Sequence, residues 1–200
     1  MTKTTIILFL IFMTYLSIFT FQNNFMNLSI KYLMAGLLFN FSVQAQKNDS
    51  LFLNAAVAKM QHSKEYTIKV ANLMPEDKYS FSPIQGEMSF GEQLLHLSSN
   101  IGWLCSSYLG ASENPVKKTD SKVHKKDEII SVLNKAYDYA IRTLQGFETA
   151  HLSDTVTFFA GPMNKLQIIN LLNDHQTHHR AQILVYLRLN GIKPADYVGW

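Results

Sequence analysis

The segment Asp174-His175-Gln176-Thr177-His178-His179-Arg180-Ala181-Gln182 gathers three of the chain's seven histidines. Its surroundings have helical periodicity, and His175 and His179, four apart, fall one turn from each other on the same face. Two imidazoles placed that way can share one metal ion. Helix geometry alone leaves the second ligand open, since His178 stands about 60° around the axis from His175 and His179 about 40°. Another histidine, His96, sits in the apolar run Gln93-Leu94-Leu95-His96-Leu97 of an earlier helical segment. A three-histidine site leaves coordination positions open for water or substrate, which is the catalytic rather than the structural pattern. Without a metal the pair is costly, because an unpartnered buried polar group loses about 1–3 kcal/mol. Like charge also forbids protonating both, and a shared divalent cation removes both difficulties.

The elements that must position these groups follow from periodicity and punctuation. The histidine pair falls on a helix predicted from Asn164 to Asn190, ended by Gly191 with Pro194 beyond. On it Ile168, Leu172, His175, His179 and Ile183 share one stripe that is otherwise apolar. His96 falls on a helix from Ser89 to about Leu109, where Ser89 and Glu92 form a capping box. A first helix is predicted from Ser50 to Leu73, stopped by Met74-Pro75, and a third from Asp127 to Phe147. The polar stretch from Ala111 to Lys126 reads as a surface loop, and Thr155 to Phe159 as a short extended piece. Four helices of this kind predict an all-α, up-down four-helix bundle, whose sites are built from inward-facing side chains.

The first fifty residues do not resemble part of that globule. No charged residue lies between Thr4 and Ile30, and up to Gln46 the only charges are Lys3 and Lys31. From Met26, a short basic region through Lys31, an apolar region from Tyr32 to Val43 and the small-residue end Val43-Gln44-Ala45 read as a secretory signal peptide. The block from Ile6 to Phe21 is marginal as a membrane span, at about sixteen apolar residues against the roughly 20 a bilayer needs. Residues 1–25 are therefore read as an over-called upstream extension or a membrane segment, 26–45 as the signal, and 46–200 as the domain. Either reading sends the domain out of the cytoplasm, into the periplasm or anchored facing it.

Setting Lys3 and Lys31 aside, 16 of the 18 basic residues remain and nearly balance the 15 acidic ones, and no long Lys/Arg run occurs. That excludes the electrostatic footprint of a nucleic-acid binder. Cys105 is the only cysteine, so neither an intrachain disulfide nor a thiolate metal site can form. Its apolar helical setting reads as a buried, inert thiol. His62, His124 and His151 lie in polar surroundings and are assigned no function.

Three segments in order resemble the DinB/YfiT-like superfamily of metal-binding four-helix bundles. They are Leu73-Met74-Pro75-Glu76-Asp77-Lys78-Tyr79-Ser80-Phe81, then Ser89-Phe90-Gly91-Glu92-Gln93-Leu94-Leu95-His96-Leu97, then His175 to Gln182 continuing through Tyr186-Leu187-Arg188-Leu189-Asn190-Gly191-Ile192-Lys193-Pro194. The resemblance covers nearly the whole predicted domain. It implies one histidine from the second helix and the i, i+4 pair from the fourth, hence His96, His175 and His179 as metal ligands rather than His178. Ala181 stands where the family usually has glycine, and the export signal is a second departure.

Three neutral imidazoles suit a divalent zinc, nickel or iron, and ligand type does not choose among them. With zinc, water would titrate near neutrality and give a hydrolase acting on a small-molecule substrate. With a thiol cofactor the site would instead serve a transferase or isomerase, as the resemblance also allows. Export disfavours the second, because low-molecular-weight thiols belong to the reducing cytosol. A third reading is a non-catalytic module that binds metal or ligand without turnover. Glu92 and Asp174 adjoin the histidines but read as cap, supporting or surface groups, so no general base is evident. Trp103 and Tyr186 fall where helical spacing allows them to line a pocket. Membrane contact is expected only through the N-terminal segment, and an exposed apolar face would allow a homodimer.

Overall fold

In the computed structural model the described residues are 48–117 and 125–198, with a few isolated positions before them. The N-terminal blocks on which the export reading rests otherwise lie outside the described residues. Contacts divide the chain into residues 1–48 and 49–200. The described residues form four long helices: α1 (48–73), α2 (Phe90–Tyr108), α3 (Lys126–Gln145) and α4 (Lys165–Leu189). No helix among the described residues is long and apolar enough to cross a membrane.

Local chemistry explains the helix ends. Ser89 accepts from the Glu92 amide while the Glu92 carboxylate accepts from the Ser89 amide, the reciprocal box expected from sequence. Asn164 and Gln167 build the same box at the start of α4. At the other end Gly191 takes φ +72°, its amide donates to the Arg188 carbonyl, and the Ile192 amide donates to the Leu187 carbonyl. This is a Schellman stop, and glycine occupies its left-handed position without a Cβ penalty. The end of α1 is closed differently: Lys126 Nζ donates to the Asn72 and Met74 carbonyls at 2.8 and 2.9 Å.

Side-chain pairings give the helix directions. Gln93 meets His179 and Tyr186 while His96 meets His175, so α2 and α4 are antiparallel. Lys64 pairs with Asp138 and Thr67 with Tyr137, which sets α1 against α3 in the antiparallel sense. Met60 meets Gln176 and Thr67 meets Arg180, so α1 and α4 are parallel. It follows that α2 and α3 run the same way. Near their starts Gly91 lies close to Ile129, and near their ends Cys105 hydrogen-bonds Thr143.

The all-α bundle is therefore as expected, but the simple up-down order is not. Parallel neighbours cannot be joined by a tight turn, and residues 109–125 stand between α2 and α3. Part of that connection lies close against α2: a Cβ on Gly102 would stand 2.3 Å from Asn114 Oδ1, so any other residue there would have to displace the Asn114 side chain. The extended piece expected at 155–159 is a two-residue strand, β1 (Thr155–Val156), paired antiparallel with β2 (Met163–Asn164) directly before α4.

The core places α2 at the centre of the site's support. Phe90, Leu94, Leu97, Ile101 and Leu104 are fully buried, each worth about 1.5–3 kcal/mol of transfer free energy. Ahead of α2, Tyr79 donates to the Ala71 carbonyl, packs edge-on against Phe90, and accepts the Gly91 amide on its carbonyl. These contacts fix where α2 begins, and so where His96 falls along the bundle.

Candidate metal centre

The inward stripe of α4 is apolar at Ile168, Leu172 and Ile183, and His179 lies buried within it. His175, one turn earlier, is half-buried at its edge. Because α2 is antiparallel, its own half-buried His96 arrives opposite the pair. His96 Nε2 stands 3.3 Å from His175 Nε2, and His175 Nε2 stands 3.2 Å from His179 Nε2. One ligand atom from each of the three residues lies within 4.8 Å of the others. For metal–nitrogen bonds of about 2.0–2.1 Å, the edge of a coordination tetrahedron is about 3.3–3.4 Å, so the two short separations match a shared ion.

His179 is held for that role. Its Nδ1 lies 2.5 Å from Gln93 Oε1, Gln93 Nε2 donates to the Tyr186 hydroxyl, and that hydroxyl donates to the Met88 carbonyl at 3.0 Å. Read from the carbonyl back, every donor and acceptor is assigned. The Gln93 amide must turn its oxygen to His179, so Nδ1 carries the proton and the Nε2 lone pair faces the cluster. Gln93 and Tyr186 are buried, which keeps water from competing for these bonds. His175 lacks such an anchor, its buried Nδ1 having no protein partner among the described residues.

Electrostatics keep the imidazoles neutral. Burial pushes His175 down to about 4, helped by His179, His96 and His178. His179 is likewise pushed down to about 4, by burial first and then by His96 and His178. Burial also lowers His96. Neutral imidazole is the metal-binding form, so near neutrality three lone pairs are available at no protonation cost.

Of the groups singled out from sequence, the structure brings together His96, His175 and His179. His178 is exposed, its ring beside that of His179 but its Nε2 near Gln182. Glu92 is engaged in the α2 cap and Asp174 is exposed. His151 is exposed and binds Asp154 at 2.8 Å, and His124 lies outside the described residues. Cys105 is buried and its thiol is pushed up to about 12, as an inert thiol should be. A cavity of about 550 Å³ lies away from the three-histidine cluster, near Tyr139, Phe147, His151 and Lys165. Its lysine and its histidine are paired with Asp154. Sequence reasoning missed Gln93. Its only signal was position, three residues before His96 and thus on nearly the same α2 face.

Comparison with known proteins agrees with this architecture. The model of the DinB family matches residues 46–199. YjoA of Bacillus subtilis (strain 168), an uncharacterized protein, is 21% identical over 142 residues, covering 69% of this chain and 90% of its own. A crystal structure of a DinB-like protein from Bacillus cereus ATCC 10987 superposes with a TM-score of 0.63 at 20% identity, covering 72% of this chain and 96% of that one. The crystal structure of YjoA gives a TM-score of 0.57 at 16% identity with the same coverage. At these identities the two structures speak to the fold alone.

Proposed function

The chain belongs to the DinB family, and from that premise we propose that it is a metal-dependent hydrolase of a small-molecule substrate. In this reading His96, His175 and His179 hold one divalent zinc, nickel or iron ion. The observation that carries it is the convergence of three imidazole nitrogens at 3.2–3.3 Å steps, one of them oriented from behind by Gln93. Bound there, the metal would supply Lewis acidity, drawing the pKa of water toward neutrality and polarising a carbonyl or phosphoryl oxygen.

The chain's own residues have narrower tasks. Three neutral ligands leave the site with the full charge of the ion, which favours an anionic nucleophile. Gln93 and Tyr186 fix the ring of His179, and the buried stripe of Ile168, Leu172 and Ile183 limits solvent on the bundle side. His96 and His175 are only half-buried, so a substrate can approach from the α2–α4 surface. We assign no general base, since Glu92 is engaged in the cap and Asp174 is exposed. The signal-like segment 26–45 supports placing the domain outside the cytoplasm, with cleavage after Ala45; N-terminal sequencing of the secreted protein tests that point.

The functional test is a comparison of metal-loaded, metal-stripped and His175→Ala proteins on esters, amides, lactones and phosphoesters, each with and without an added low-molecular-weight thiol. Metal-dependent hydrolysis without thiol is the expected result. Turnover that requires the thiol would replace the hydrolase reading with a transferase or isomerase. Equal activity in the loaded and stripped proteins would remove the metal from the reaction.

A further inference from the structure

Trp103 lies seven residues after His96 on α2, which places it about 10 Å along the axis and about 20° around it. The two residues therefore share one face of the helix, and both are half-buried. Between them Asn100, four residues from His96, has a buried Oδ1 with no protein partner among the described residues. On the facing helix Leu171 precedes His175 by one turn and is also half-buried. From the histidines toward the start of α4, this surface is uncharged at Ser99, Asn100, Trp103 and Leu171.

Aromatic rings close its far end. Trp103 packs edge-on against Tyr108 at 5.4 Å, tilted against Phe158 at 5.7 Å, and stacked with Phe159 at 6.4 Å. Phe158 and Phe159 lie just beyond β1, with their rings 4.4 Å apart. Phe158 is buried, whereas Phe159 is 84% exposed although its ring is held by two neighbours. A ring kept in place by packing yet open to water is suited to receive another flat apolar group, and indole and phenyl faces stack such groups well.

Building on the metal-centre reading, we propose that Trp103, Phe158 and Phe159 form a subsite for an aromatic group of the substrate. The polar, reacting end of that substrate then lies at His96, His175 and His179. The continuity of one uncharged α2 face from His96 to Trp103 joins the two halves, and its length sets the spacing between the ring and the reacting group at about 10 Å. The substrate class is accordingly a neutral arylalkyl compound with a hydrolysable polar head, rather than a charged metabolite.

The test uses two zinc chelators, acetohydroxamic acid and phenylhexanohydroxamic acid, on the zinc-loaded protein. Binding is followed by Trp103 emission in a Trp200→Phe background. Ring stacking and apolar burial predict about tenfold tighter binding of the phenylalkyl compound. In Trp103→Ala, followed calorimetrically, and in Phe159→Ala, that gain should fall below about threefold while acetohydroxamate affinity and metal content stay unchanged. Phe159 is exposed, so its variant keeps the fold even if Trp103→Ala does not. Equal affinity of the two chelators, or a gain that survives in both variants, overturns the subsite. If no zinc is retained, the metal-centre reading fails separately and phenylhexanol, which does not chelate, becomes the probe. Quenching of Trp103 that is lost in Phe159→Ala then still supports the subsite, and no quenching overturns it.

Discussion

His179 and Arg180 are neighbours on α4, yet they serve opposite walls of the bundle. Arg180 turns to α1, where it donates to Thr67 and lies 5.4 Å from the Tyr66 ring centre, and it also donates to Thr177 on its own helix. Thr67 in turn bonds the buried Tyr137 hydroxyl at 2.9 Å, tying α1, α3 and α4 together. That node is closed, because the Thr67 and Tyr137 hydroxyls and both terminal guanidinium nitrogens of Arg180 are engaged within it. On the α2 wall, His179 is anchored at Nδ1, while its Nε2 joins two other ring nitrogens that cannot all pair with one another. Both arginine and histidine belong to the stretch that carries the family resemblance, so the difference is instructive. Sequence pattern marks the helix as special, but only the partner count separates a brace from a site.

The comparison breaks most visibly at the ligands. His175→Ala or His179→Ala should lower metal affinity by more than about 100-fold, beyond what loss of a supporting group costs, and a competitive chelator titration reads this directly. Gln93→Leu removes the brace behind His179 without touching the metal, and should weaken affinity by about 10–100-fold while circular dichroism stays unchanged. On the opposite wall the pattern should invert. Thr67→Val or Tyr137→Phe should cost about 1–2 kcal/mol of stability in urea and leave the metal content as it was.

Protons sharpen the contrast further. In the folded chain His175 and His179 titrate near 4, against 6.5 for a free imidazole. Between those values the unfolded chain binds the more protons, so stability of the metal-free protein should fall as pH drops through 6.5 toward 4 and level off below. Urea midpoints across that range check it, and His175→Ala should flatten the slope. The smallest effect is expected at His178→Ala. Its side chain is exposed, and metal affinity should change less than about threefold.

Much of this arrangement was legible in the residues. Ser89 with Glu92 announces the start of α2, Gly191 the end of α4, and the His175/His179 spacing a shared face, because each is a local device with its own stereochemistry. The third member was not local. His96 sits in a run that reads as core; the family resemblance named it, and the antiparallel packing of α2 on α4 carries it to the pair. Helix direction escaped for the same reason: periodicity predicts a helix over 127–147 but not which way it lies beside α2. The strand partner Met163–Asn164 is too short to show alternation. Gln93 looked like an isolated polar residue in an apolar run, since its meaning depends on a ring contributed from the other helix.

The central claim is tested most directly by the metal content of the purified protein, measured by elemental analysis with X-ray absorption to count the ligands. The account predicts close to one zinc, nickel or iron per chain, bound by three imidazoles and lost in the His175→Ala/His179→Ala variant. A folded protein that takes up none of the three metals at neutral pH would contradict it.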